Sequence, residues 1–271
     1  ISYINFYTHT NKSIKLILLN QFLKGGMAKI NIDLNFDDSG KIKNNYSLTG
    51  KISNAELQIP KYKYVRNLNF NFNANDKNYK FEKILFKFNE INFNSNFIEI
   101  KKQKDKFIVK GNLKNQKDKI NSDIISIIFN ENLKNFDFSN TKLQSNSEFS
   151  FDINKKFKIK NLNIDAKLNL DELFLKHDLY KIKNYINNFE NLIKFKENKL
   201  HIKYSEKKIT IDGASEFYIN ENLKNLIEFQ IDKNKNKTNF KTSLDLKNLD
   251  LKFNDISNNK TKNDNANLII Q

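Results

Sequence analysis

Few residues in this chain could do covalent or metal chemistry. Histidine occurs only at His9, His177 and His201. None has a second histidine or a carboxylate at metal-ligand spacing, so no metal centre is expected. His177 precedes Asp178, whose carboxylate is better explained as a helix cap. His201 alternates out of phase with Leu200 and Ile202, which assigns it to a solvent face. There are no cysteines, which excludes disulfides, thiol nucleophiles and cysteine-held metals. Glu148, Asp152, Asp165 and Asp171 fall at outward-facing strand positions, and no pair among them is marked out for acid–base work. No P-loop, dinucleotide fingerprint, nucleophile elbow or paired-histidine zinc motif occurs. Six glycines are too few to make a phosphate cradle plausible. The expectation is a protein that is not an enzyme, with no catalytic residues, no metal and no cofactor.

Charge points to surface chemistry instead. The 271 residues carry a formal charge of +16, with a pI near 9.6. Such a balance fits an anionic partner, either nucleic acid or a lipid surface. All but one of the 47 basic residues are lysine, the exception being Arg66. Nucleic-acid sites exploit the planar fork of arginine. The lysines are also spread evenly along the chain beside abundant Asn, Ile and Phe, the residues of A/T-rich codons. A solvated lysine face is therefore expected, and nucleic acid is not the favoured partner.

What must position any site is a set of strands. Hydrophobic residues make up 38%, and the mean hydropathy is −0.69. Strict alternation lets so polar a chain fold, because a half-buried sheet needs only every second residue apolar. The pattern is densest over 67–113: Leu68, Phe70, Phe72; Ile84, Phe86, Phe88; Ile91, Phe93; Ile98, Ile100; Phe107, Val109. Polar breaks at 75–78 and 102–105 have turn composition. Alternation also runs through Ile30–Phe36, through Phe149, Phe151 and Ile153, and through Leu162–Leu170, and it continues to Phe253. Three stretches read as amphipathic helices: 11–24 ending at Gly25-Gly26, 121–135, and 178–195 with Leu179, Ile182, Ile186, Phe189 and Ile193 on one stripe. The predicted fold is mainly β: an elongated, curved antiparallel sheet, an open groove or a β-sandwich-like closure, with two or three short helices. Residues 1–253 form this segment, with two repeats at about 27–135 and 136–253. Residues 254–271 are a polar tail leading to a strand. The repeat rests on KDKFIVKGNLKN (104–115) and EKKITIDGASEF (206–217), each a charged turn, an alternating strand and a glycine. No apolar run approaches the roughly 20 residues that a membrane-spanning helix needs.

The aromatic content is 13%, with 24 phenylalanines and no tryptophan. Base stacking beside a basic groove needs rings and cations on one face, whereas alternation puts Phe and Lys on opposite faces. The alternatives are a packed core and a face that takes apolar ligands. The candidate lining is Phe70, Phe72, Phe86, Phe88, Phe93, Phe149, Phe151, Leu168 and Leu170.

Residues 19–40 (LNQFLKGGMAKINIDLNFDDSG), 50–72 (GKISNAELQIPKYKYVRNLNFNF), 107–113 (FIVKGNL) and 209–217 (ITIDGASEF) together resemble the AsmA-like superfamily of bacterial envelope proteins. Within it they are similar to the large members that carry a domain of unknown function and an AsmA-like C-terminal region. The similarity lies in pattern and covers most of 12–253. It implies a curved sheet with a hydrophobic groove, anchored in the inner membrane, extending across the periplasm and conducting phospholipids between membranes. On this reading the chain is a fragment whose anchor lies outside it. Its partners are phospholipid acyl chains, with other envelope proteins beside them. A β-scaffold with a closed core and no ligand is the alternative, and a basic nucleic-acid-binding module is the second.

Overall fold

A computed structural model of the chain describes residues 23–41, 43, 46–58, 64–120, 135–156, 158–176, 183, 185–186, 189, 192–219, 223–252, 260–261 and 264–270. The chain divides into two compact units: residues 1–116 with 148–162, and residues 117–147 with 163–271. Both are β, and every described strand pairing is antiparallel.

In the first unit β1 (Leu23–Lys24) and β2 (Met27–Asp33) both pair with β3 (Ser47–Gln58). The order then runs through β4 (Tyr64–Asn75), β5 (Asn78–Phe88), β6 (Ile91–Lys102) and β7 (Lys106–Lys119). In the second unit β8 (Phe136–Asp137) pairs with β10 (Ile159–Lys176). The order from β10 runs through β11 (Leu192–Ser205), β12 (Lys208–Ile219), β13 (Leu223–Asn234), β14 (Thr238–Asp245) and β15 (Asn267–Ile270). Three strands have residues in both units: β7, β9 (Lys142–Asn154) and β10. The strand order does not close on itself.

Asp and Asn side chains close the turns, one of them at the predicted break over 75–78. Asp37 Oδ1 accepts bonds from the Ser39 and Lys41 amides, both at 2.9 Å, and Gly40 takes φ +77°. Asn75 Oδ1 accepts from the Lys77 and Asn78 amides at 2.9 and 2.7 Å. Asn154 and Asn234 close their hairpins in the same way. The short oxygen-bearing side chain satisfies turn amides that no strand can reach.

Bulges decide which residues share a face. Asn54 in β3, Asn67 in β4 and Lys83 in β5 take φ of +52°. The β3–β4 and β4–β5 registers shift around the first two, and Lys83 lies between Glu82 and Leu85 in the β4–β5 ladder. Glu197 in β11 does the same at φ +50°, and β6 shifts between Asn94 and Ile98. One extra residue reverses the side-chain phase. Tyr79 and Phe81 are odd-numbered, whereas Ile84, Phe86 and Phe88 are even. Across Lys83 both sets can point the same way. One cluster in fact joins Ala55, Val65, Leu68 and Ile84 with Ile52, Leu57, Phe70, Phe81, Phe86, Phe88 and Ile98.

Three sequence expectations need correcting. The helices over 11–24 and 121–135 lie outside the described residues except at their ends, where Leu23–Lys24 is strand and Asn135 sits in a turn. The helix over 178–195 fails at its C-terminal end, because Leu192–Phe195 open β11. Ile193 and Phe195 alternate in one phase and Leu200, Ile202 and Tyr204 in the other. The helical stripe reaches Ile193 by a four-residue step from Phe189, a spacing that keeps one face in a helix and equally in a strand, and the two-residue step from Ile193 to Phe195 is the strand period. Gly111 and Gly213, expected to end strands, lie in the middle of β7 and β12.

Candidate apolar binding face

The seven candidate phenylalanines all belong to the first unit. Phe70 and Phe72 come from β4, Phe86 and Phe88 from β5, Phe93 from β6, and Phe149 and Phe151 from β9. Their rings form local pairs. Phe86 stacks on Phe93 with centroids 5.4 Å apart, and Phe149 on Phe151 at 6.1 Å. Phe70 meets Phe72 at 6.3 Å and stands edge-on to Phe81 at 5.5 Å. All seven are half-buried. Beneath and between them Ala55, Val65, Leu68 and Ile84 are buried. The contacts described between elements all join neighbouring strands of the sheet.

Two glycines make room for the rings. A Cβ at Gly50 would lie 2.8 Å from Phe72 Cζ, and one at Gly111 would lie 2.7 Å from Phe149 Cζ. At each position the tip of the ring takes space that a side chain would otherwise fill. The second unit repeats the device, with Phe229 Cζ 2.2 Å from where a Gly213 Cβ would be.

The remaining candidates, Leu168 and Leu170, lie in the second unit on β10. Leu168 pairs across to Leu200, in the row that continues through Gly213 and Phe229. Leu168 is half-buried and Leu170 is buried. This unit carries its own cover. Phe189 and Leu249 are buried against Phe217 and Ile219, with Ile186, Ile193, Phe195, Ile227, Leu244 and Leu251 around them. One end of the second unit's apolar face is thus sealed by residues from outside its strands.

The opposite faces carry the charge. Lys106 Nζ lies 2.8 Å from Asp152 Oδ2, and Asn161 Nδ2 donates to the same oxygen at 2.7 Å, holding that carboxyl below the usual range. Lys176 lowers Asp137, Lys208 lowers Asp232, and Lys224, bonded to Glu216, lowers that group and is itself raised. Two cations sit over rings on this side, Lys194 over Phe174 at 5.0 Å and Lys196 over Tyr218 at 5.1 Å. Strict separation of Lys from aromatics therefore fails at these positions. His201 Nε2 lies 2.7 Å from Asp165 Oδ1, a partnership made by the β10–β11 register and invisible in sequence spacing. Asp171 accepts from the Lys142 and Glu172 amides, a structural role. His9 and His177 lie outside the described residues. No group of side chains suited to a metal ion occurs among the described residues.

Sequence reasoning missed Phe81, Ile52 and Ile98 as members of the phenylalanine face. The signal was present as a change of phase within each run, which a bulge converts into a single face. The chain matches no protein-family model, no curated protein and no solved structure.

Proposed function

We propose that the phenylalanine face of the first unit binds lipid acyl chains, and that the chain is a segment of an AsmA-like envelope protein conducting phospholipid between membranes. The observation that supports this reading is the half-exposure of seven phenylalanines gathered on one sheet face. Removing a methylene from water is worth about 0.8 kcal/mol. A run of rings with no single deep pocket offers that gain repeatedly along its length, which suits a ligand that must move as well as bind. The opposite face, ion-paired and lysine-rich, keeps such a sheet compatible with water. Among the described residues no helix is long and apolar enough to cross a membrane.

The test is detergent-free purification followed by lipid mass spectrometry, with Phe86→Asp as the variant. Bound phospholipid in the parent, and its loss from a variant that keeps its β circular dichroism, is the expected result. Absence of lipid from the parent overturns the proposal. So does a Phe86→Asp variant that unfolds while Leu85→Asp, on the opposite face, stays folded, because that pattern marks a sealed core.

The second reading is a ligand-free scaffold. It is favoured by the cover over Phe217 and Ile219 in the second unit, where the apolar face is already occupied by the chain itself.

A further inference from the structure

The outer strand of the first unit is exposed along its whole length. None of the seven residues of β2 is buried or half-buried. Met27 is 70% exposed, Ile30 49% and Ile32 58%, and Leu34 and Phe36 follow as exposed residues. The rows Ile30–Gly50–Phe72 and Ile32–Leu48–Ala74 run from β2 through β3 to β4. Residues paired directly across a sheet share a face, so Ile30 and Ile32 carry the phenylalanine side out to the edge. Among the described strands β2 pairs only with β3. Its other side offers backbone N–H and C=O groups to a further strand.

Sheet edges are commonly guarded by a lysine, a proline or a bulge. Lys29 stands near the middle of β2 and would be such a guard. Asp33 cancels it, because period two places a residue four positions on upon the same face. Among the described residues neither Lys29 nor Asp33 has an ion-pair partner. The strand therefore holds one charge of each sign, both unspent, with Asn31 midway between them.

That arrangement is complementary to itself. With the strand laid antiparallel to a second copy about a two-fold axis at Asn31, Lys29 faces the second copy's Asp33, and Asp33 faces its Lys29. Ile30 meets Ile32, Ala28 meets Leu34, and Asn31 meets its own counterpart. An axis at Ile30 would set Lys29 against Asn31 and Asp33 against Met27. An axis at Ile32 would set Lys29 against Asn35 and Asp33 against Asn31. Only the axis at Asn31 makes both ion pairs and keeps the isoleucines together. Exposed ion pairs add little strength, so here they choose the register, while backbone bonds and apolar contacts hold it.

We propose that β2 is a self-pairing edge, through which two copies of the chain join antiparallel about Asn31. The contact is isologous, the commonest kind in homo-oligomers. It is independent of lipid binding, because it uses the strand edge and not the phenylalanine rings.

The test is analytical ultracentrifugation of the full chain at physiological salt, where the +16 charge of each copy is screened. The parent is expected to pass from monomer to dimer with a micromolar dissociation constant, since one strand edge buries less than a standard interface. Lys29→Asp and Asp33→Lys each set like charges opposite one another. Each alone is expected to weaken association about tenfold or more, while keeping its β circular dichroism. An equimolar mixture of the two should re-form a dimer, because acidic edge then meets basic edge. The chain has no cysteine, so one introduced thiol reports the register. Directly opposed residues have Cα atoms about 4.5–5.5 Å apart, within disulfide reach. Asn31→Cys is expected to cross-link to its counterpart under mild oxidation. Met27→Cys is not, its counterpart lying roughly 26 Å away along the pair. A parent that stays monomeric overturns the proposal, and protection of its β2 amides from hydrogen exchange would mean that the chain covers its own edge. A mixture that fails to associate also overturns it, as does a dimer undiminished by Lys29→Asp, which would place the contact elsewhere. Equal cross-linking of the two cysteine variants overturns the register.

Discussion

Gly213 shows how much a missing side chain can do. The Phe229 ring occupies the space where its Cβ would be, with Cζ only 2.2 Å from that point. Gly213→Val must push the ring off the sheet, since a β-branched side chain cannot turn away. The expected cost is about 1–3 kcal/mol, typical of overpacking, read as a lower urea midpoint. In a Phe229→Ala background the same substitution should cost much less, because the obstacle is gone. Equal costs in the two backgrounds would show that the glycine serves some other purpose. Sequence spacing places this glycine at the end of a strand and carries no sign of the ring above it. That ring comes from the next strand, 16 positions along in the pairing Gly213↔Phe229, and only register brings the two together. The partnership of His201 with Asp165 was hidden for the same reason.

At the scale of elements, the alternating runs and their turns were legible because period two and Asn-rich breaks are local properties. Faces were only partly legible. Within β4 or β5 the candidate phenylalanines share parity and so share a side. Whether Phe81 joins Phe86 depends on one residue, Lys83, held at φ +52°. Counting parity without the bulge assigns Phe81 to solvent. The start of β11 mimics a helix for a different reason: Ile193 falls four residues after Phe189, a spacing that keeps one face in a helix and equally in a strand. Deleting Lys83 tests this directly. The deletion should turn Tyr79 and Phe81 away from the cluster and cost about 3 kcal/mol or more, the scale of losing a core aromatic. Lys83→Gly keeps the extra residue and relieves the left-handed backbone. It should therefore leave thermal stability unchanged or raise it by about 0.5–1 kcal/mol. A deletion as stable as the parent would mean that the bulge does not set the face.

For the whole molecule, the carboxylates predict the response to pH. Asp137, Asp152, Glu216 and Asp232, drawn from both units, are held below their ordinary values by lysine or hydroxyl donors. A group with a lowered folded pKa contributes stability above its unfolded value, near 4, and loses it as pH falls through the folded value. Lys80 and Lys224 are raised, so their contribution is lost only as pH climbs past the ordinary lysine range. Thermal midpoints should be flat from about pH 5 to 9 and fall steadily below pH 4. Asp152→Asn should flatten part of that acid limb and lower the plateau. An acid limb unaffected by Asp152→Asn, and by the equivalent change at Asp137, would show that these pairs carry no weight in folding.

The correspondence between two hairpins bears on how the chain folds. Hairpin β6–β7 pairs Phe93↔Asn115, Ile98↔Gly111 and Lys102↔Phe107, and hairpin β11–β12 pairs Phe195↔Phe217, Leu200↔Gly213 and Tyr204↔Ile209. Every member of the second set lies 102 positions after its counterpart, with the bulge at the same height. Such hairpins close over a handful of residues, and most neighbours in each unit are also consecutive in the chain. The entropy of loop closure is therefore small at nearly every step. Assembly can proceed strand by strand during synthesis, each newcomer laid against an edge already waiting for it. The chain thus avoids the slow search that usually burdens large sheets. Among the described strands, that order runs out at β1 and β2 on one side and at β15 on the other.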